Sequence, residues 1–136
     1  MAEEKTGDKT LKTQWAIALD WFQESNRSIS ALIGNRLCSK CAKQLNVKGK
    51  ESSPESLIST VQNCCSHSPD FINNKLPILE CIFRLYLSNG NRPLSIEELV
   101  DQLSQSRGGD TYRSSPHILL RILKSDSYYG LQEISN

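Results

Sequence analysis

Apolar residues recur at intervals of three and four along most of this chain, the period of helices that each bury one face. From about Leu11 to Ser25, Trp15, Ala18, Leu19 and Phe22 fall on one stripe, with Trp21 at its edge, and this predicts a first helix whose two tryptophans anchor a core. Ser28 or Ser30 is placed to cap a second helix carrying Ile29, Leu32, Ile33 and Leu37, which runs into Cys38-Ser39-Lys40-Cys41. Asn46 to Ser53, with Lys48-Gly49-Lys50, reads as a polar loop. Ser52 and Glu55 then have capping-box spacing, and Pro54 suits a first helical turn. Leu57, Ile58 and Val61 supply that helix's buried side, and Pro69 requires it to end near Cys64-Cys65-Ser66-His67.

Pro77 opens the most apolar helix, where Ile78, Leu79, Ile82, Phe83, Leu85, Tyr86 and Leu87 cover most of the circumference and predict a central position. Cys81 within it reads as a small buried hydrophobe. Asn89-Gly90-Asn91 is a left-handed stop signal, and Arg92-Pro93-Leu94 a short extended piece. Ser95 and Glu98 form a second capping box ahead of a helix with Ile96, Leu99, Val100 and Leu103 inward. Ser106 to Thr111, with Gly108-Gly109, reads as a loop, and Ser115-Pro116 opens a last helix that buries Leu119, Ile122 and Leu123. The alternation in Tyr128 to Ile134 suits one short strand. The expected fold class is therefore mostly α, with residues 1–73 a helical segment, residues 74–136 a three-helix unit ending in a short strand, and both joined in one assembly.

At 136 residues the chain is long enough for an ordinary core. Its 16 Lys plus Arg nearly balance 15 Asp plus Glu. The balance holds within each half: nine basic and eight acidic residues through Asp70, and seven of each after it. Proteins that grip many phosphates normally concentrate Lys and Arg, so strong nucleic-acid binding is disfavoured. The charged start, Met1-Ala-Glu-Glu-Lys-Thr-Gly-Asp-Lys, lacks the apolar centre of a secretory signal. Apolar stretches fall short of the roughly 20 residues that span a bilayer. The expectation is a cytoplasmic protein with no membrane partner and with reduced cysteines.

The five cysteines carry the clearest chemistry. Cys38-x-x-Cys41 can bring two thiolates to one tetrahedral ion, and Cys64-x-x-His67 repeats the spacing 22 residues further on. Cys38, Cys41, Cys64 and His67 are thus candidate ligands of a structural zinc, with Cys65 as an alternative ligand in the second pair. Four protein ligands would leave no position for a reactive water, and the ion would reinforce a thin N-terminal core.

The order helix, extended piece, helix, loop, helix, strand, with Asn91-Arg92-Pro93-Leu94-Ser95-Ile96-Glu97-Glu98-Leu99 joining the first two helices, resembles a winged helix-turn-helix domain. The resemblance covers roughly 60 residues and rests on pattern, not on a sharp motif. It implies that Ser115 to Lys124 is the recognition helix, with His117, Arg121 and Lys124 outward and Arg107 and Arg113 in the preceding loop as candidate nucleic-acid contacts. Two features depart from the family: the segment Gln105 to Ser114 is long for its turn, and a single strand leaves no β-hairpin wing.

Nothing marks an enzyme. The two histidines belong to no Ser-His-Asp or Cys-His arrangement, and Gly108-Gly109 lacks the Lys-Ser/Thr of a phosphate loop. The sequence favours a non-enzymatic interaction or adaptor module of winged-helix type with a structural zinc and a protein partner. The alternative is a transcription regulator touching DNA through the 115–124 helix. The resemblance also allows a homodimer.

Overall fold

The computed structural model describes residues 13–48, 53–107 and 115–134. Among these are seven α-helices and a three-stranded antiparallel sheet. The order is β1 (Gln14–Ile17), α1 (Leu19–Glu24), α2 (Ile29–Gly34), α3 (Ser39–Lys48), α4 (Pro54–Asn63), a 3-10 turn at Cys65–His67, α5 (Ile78–Ser88), β2 (Leu94–Ser95), α6 (Ile96–Arg107), α7 (Pro116–Ser125) and β3 (Leu131–Ile134).

The central helix is α5, as its all-round apolarity predicts. Cys81, Ile82, Phe83, Tyr86 and Leu87 are wholly buried, and the helix packs against α4, α6 and β1. Helices α6 and α7 pack on each other, and α7 on β3. Trp15 near the start and Leu131 near the end belong to one continuous apolar cluster.

The first predicted helix is overturned. Gln14–Ile17 is a strand, and only Leu19–Glu24 is helical. Trp15, Ala16 and Ile17 are buried in succession because β1 is the middle strand, lying between β2 and β3. Its register pairs Trp15 with Leu94 on one side and with Glu133 on the other. A short apolar run is compatible with either period, and here partners some 80 and 120 residues away supply the ladder that decides it. The Tyr86 hydroxyl donates to the Trp15 carbonyl at 2.6 Å and pins β1 to α5.

Caps follow their chemistry. Ser28 caps α2 by accepting from the Ala31 N–H at 3.0 Å. The cap of α4 is Ser53, not Ser52: its hydroxyl accepts the Ser56 N–H at 3.1 Å and places Pro54 at the first position. Ser95 and Glu98 exchange hydrogen bonds at 3.2 and 2.8 Å, the reciprocal pair expected of a capping box. Gly90 and Asn91 both take positive φ at the end of α5. The loop expected from Asn46 begins later, since α3 runs to Lys48.

Candidate metal centre

Two chain turns meet at the cysteines. After α2, the Leu37 N–H bonds the Gly34 carbonyl, and Cys38 then stands immediately before α3, where its carbonyl accepts the Ala42 N–H at 2.9 Å. On the facing side, α4 ends at Cys64, whose φ of −137° and ψ of −66° break the helix, and Cys65 starts the 3-10 turn.

The sulfurs of Cys38, Cys41 and Cys64 lie within 4.8 Å of one another. Cys38 Sγ and Cys64 Sγ are 3.9 Å apart, and all the cysteines are free thiols. A disulfide needs about 2.05 Å. Two thiolates on one tetrahedral zinc, each at about 2.3 Å, stand about 3.8 Å apart. The observed spacing fits a shared ion. Cys65 stands outside these three but adjoins them: its sulfur accepts the Cys38 N–H at 3.1 Å. Cys41 and Cys65 are buried, whereas Cys38 and Cys64 are half-buried.

Local polarity separates these thiols. The Cys41 N–H and the Cys65 thiol bring the Cys38 pKa down to about 7, so a thiolate there forms near neutrality. Burial, and then the neighbouring thiols, push Cys41 well above the usual range. Burial likewise raises Cys65, against the Cys38 N–H that lowers it. An ion would supply the positive charge that four clustered sulfurs otherwise lack.

The other sequence candidates are placed as follows. His67 is exposed at the end of the 3-10 turn and is not within the group of ligand atoms. Cys81 is buried in α5, where its thiol donates to the Asn73 carbonyl at 3.3 Å. On α7, His117, Arg121 and Lys124 are all exposed. Ile118 lies among them and is 48% exposed, and Tyr128 just past the helix is 49% exposed. Arg107 closes α6, its side chain outside what the structure describes, and Arg113 lies outside the described residues.

One group escaped the sequence reading. Glu80, buried on α5, accepts from Arg36 Nε and Nη2 at 2.7 and 2.8 Å, from Arg84 Nε at 2.7 Å and from the Tyr129 hydroxyl at 2.8 Å. Arg36 also caps the Leu32 carbonyl, and Arg84 the Phe71 carbonyl. Burial raises the Glu80 pKa, but these donors outweigh it and hold the group at about 2. The signal was a carboxylate inside the most apolar helix with an arginine four residues on, since a charge there needs partners. A hollow of about 220 Å³ lies between this network and the cysteines, with Arg36, Arg84, Cys38 and Cys65 in its wall.

The arrangement defines a helical protein with a thiol cluster able to hold a metal and an exposed basic-apolar helix face. No family model matches the chain, and no curated protein or solved structure matches it significantly. Among the described residues, no helix is long and apolar enough to cross a membrane.

Proposed function

We propose that this chain is a non-enzymatic binding module in which a winged-helix-like unit, braced by a structural zinc, presents α7 to an acidic protein segment. The carrying observation is the composition of the α7 surface: Ile118, about half exposed, flanked on one side by exposed His117, Arg121 and Lys124, with no carboxylate anywhere in Pro116–Ser125. An apolar side chain left in water on a solvated helix gains free energy by being covered, and the cations around it select an anionic partner. The winged-helix reading draws on the succession α5, β2, α6, α7, β3 and on the sheet order β2-β1-β3. In it, β1 stands in for the strand that a wing hairpin would return. Zinc is the ion that the spacing and softness of the clustered thiols suit best.

The test is selection from a random peptide display library, with Ile118→Asp and Lys124→Glu proteins as counter-selection. Enriched peptides should combine Asp or Glu with Leu, Ile or Phe, and should lose at least tenfold in affinity for both variants. Peptides that bind wild type and variants alike would remove the α7 face from the proposal.

A second reading follows from the same lack of carboxylates on α7: Arg121 and Lys124, with Arg107 and Arg113, contact a DNA backbone. Random duplex DNA in a mobility-shift assay separates the two. Retardation at low salt that weakens steeply with added salt and is lost in Arg121→Ala/Lys124→Ala favours DNA, and no retardation removes it.

A further inference from the structure

We propose that the metal centre is closed by sulfur alone: Cys65 is the fourth ligand beside Cys38, Cys41 and Cys64, and His67 stays outside it. The inference rests on the reading that this cluster binds a metal, and it names the coordination of that site.

Three sulfurs within 4.8 Å of one another leave a tetrahedral ion one donor short. Two residues compete for that place in the sequence. The first, Cys65, is 1% exposed, and its sulfur accepts the Cys38 N–H at 3.1 Å. The second, His67, is exposed to solvent on the far end of the 3-10 turn. A structural ion buried against the core takes the donor already turned inward.

Adjacent cysteines can serve one ion because the backbone between them is not regular. Cys64 leaves helical geometry, so the direction of the chain changes between the two side chains. Both sulfurs then reach the segment around Cys38: Cys64 lies 3.9 Å from the Cys38 sulfur, and Cys65 lies 3.1 Å from the Cys38 nitrogen. Four thiolates around a divalent ion carry a net charge of about −2. A backbone donor is already aimed at that charge, the Cys38 N–H on the Cys65 sulfur at 3.1 Å. This bond orients a ligand as outer-shell partners do, and the α3 N-terminus adds its positive end.

X-ray absorption on the zinc-loaded full chain tests this without altering a residue. The expected first shell is four sulfurs at about 2.3 Å, whereas a nitrogen at about 2.0 Å beside three sulfurs overturns the inference. His67→Ala should retain one equivalent of zinc with an unchanged shell, and loss of the metal in that variant also overturns it. Cys65→Ser should lower zinc affinity at least tenfold. A purified wild-type chain that takes up no zinc under reducing conditions removes the metal reading itself, an outcome distinct from zinc held by a mixed shell.

Discussion

Arg36 donates from Nε and Nη2 to the two carboxylate oxygens of Glu80, at 2.7 and 2.8 Å, and so ties the residue two positions before Cys38 to the central helix. The guanidinium also lies over the rings of Phe83 and Tyr129, at 5.2 and 5.9 Å from their centroids. Tyr129 reaches the same carboxylate, and Asp126 positions it by accepting the N–H groups of Tyr128, Tyr129 and Leu131. The cysteine segment, the core and the turn after α7 thus converge on one carboxylate. Replacing Glu80 with Gln leaves two buried or half-buried guanidiniums without their anion. Urea denaturation should find E80Q less stable by roughly 2–3 kcal/mol at pH 7, and a change below about 0.5 kcal/mol would count against the network.

The same carboxylate predicts an acid-sensitive component of stability. Its folded pKa of about 2 lies below the ordinary 4.5, because the hydrogen bonds from Arg36, Arg84 and Tyr129 outweigh burial, which acts in the opposite direction. A depressed value means that the stabilisation is fully present above about pH 4.5 and is lost as pH falls towards 2. After allowance for solvent at the rim, that component is about 2 kcal/mol. Denaturation midpoints of wild type and E80Q should therefore converge across this window, and parallel curves would contradict the assignment.

Asn91 makes a separate prediction about how β1 ends. Its side chain accepts the Ile17 N–H at 2.9 Å and donates to the Ile17 carbonyl at 3.0 Å, and its backbone has φ of 60°. Asn91→Ala loses both bonds and keeps the strained backbone, whereas Asn91→Gly loses the bonds and relieves the strain. The expected costs are about 2–3 kcal/mol for alanine and about 1 kcal/mol less for glycine, read by thermal or chemical denaturation. Equal costs would show that the left-handed backbone contributes nothing.

Those two sites mark where sequence reading worked and where it stopped. Local signals were reliable where a cap or a stop needs only neighbours: Ser95 with Glu98, Ser28 with Ala31, and Gly90-Asn91 at the end of α5. The central position of α5 was readable because its apolar residues leave little room for a wet face. The strand at Gln14–Ile17 was not, since Leu94 and Leu131, which make it a strand, are remote in the chain. Cys38, Cys41 and Cys64 were readable from spacing as a possible metal group, but the choice between Cys65 and His67 was not. Where the Cys64, Cys65 and His67 side chains stand depends on the kink at Cys64, which spacing does not encode.

Gly130 tests how the end of the chain closes on α1. It has φ of 70°, its carbonyl accepts the Ala18 N–H at 2.8 Å, and a Cβ there would lie 2.5 Å from Phe22 Cε2. Phe22 is buried, so its ring would have to shift within the core. Gly130→Ala should cost more than about 2 kcal/mol through the clash and the left-handed backbone together, and a thermal midpoint within a degree or two of wild type would refute this.

Removing the metal should act on the whole fold, because the proposed ligands are shared between two turns that no disulfide joins. Cys38 and Cys41 belong to the start of α3, and Cys64 and Cys65 to the break between α4 and the 3-10 turn. An ion between them contributes to folding whatever free energy it gains from binding the folded state over the unfolded chain. Chelation under reducing conditions should therefore lower the thermal midpoint by on the order of 10 °C, and added zinc should restore it. Arg36 stands two residues from Cys38, so the Glu80 network should weaken with the metal. In a double-mutant design, E80Q and Cys41→Ser should then cost less together than the sum of their separate effects. Strict additivity would mean that the cysteine cluster and the carboxylate hold the chain independently, despite being joined through Arg36.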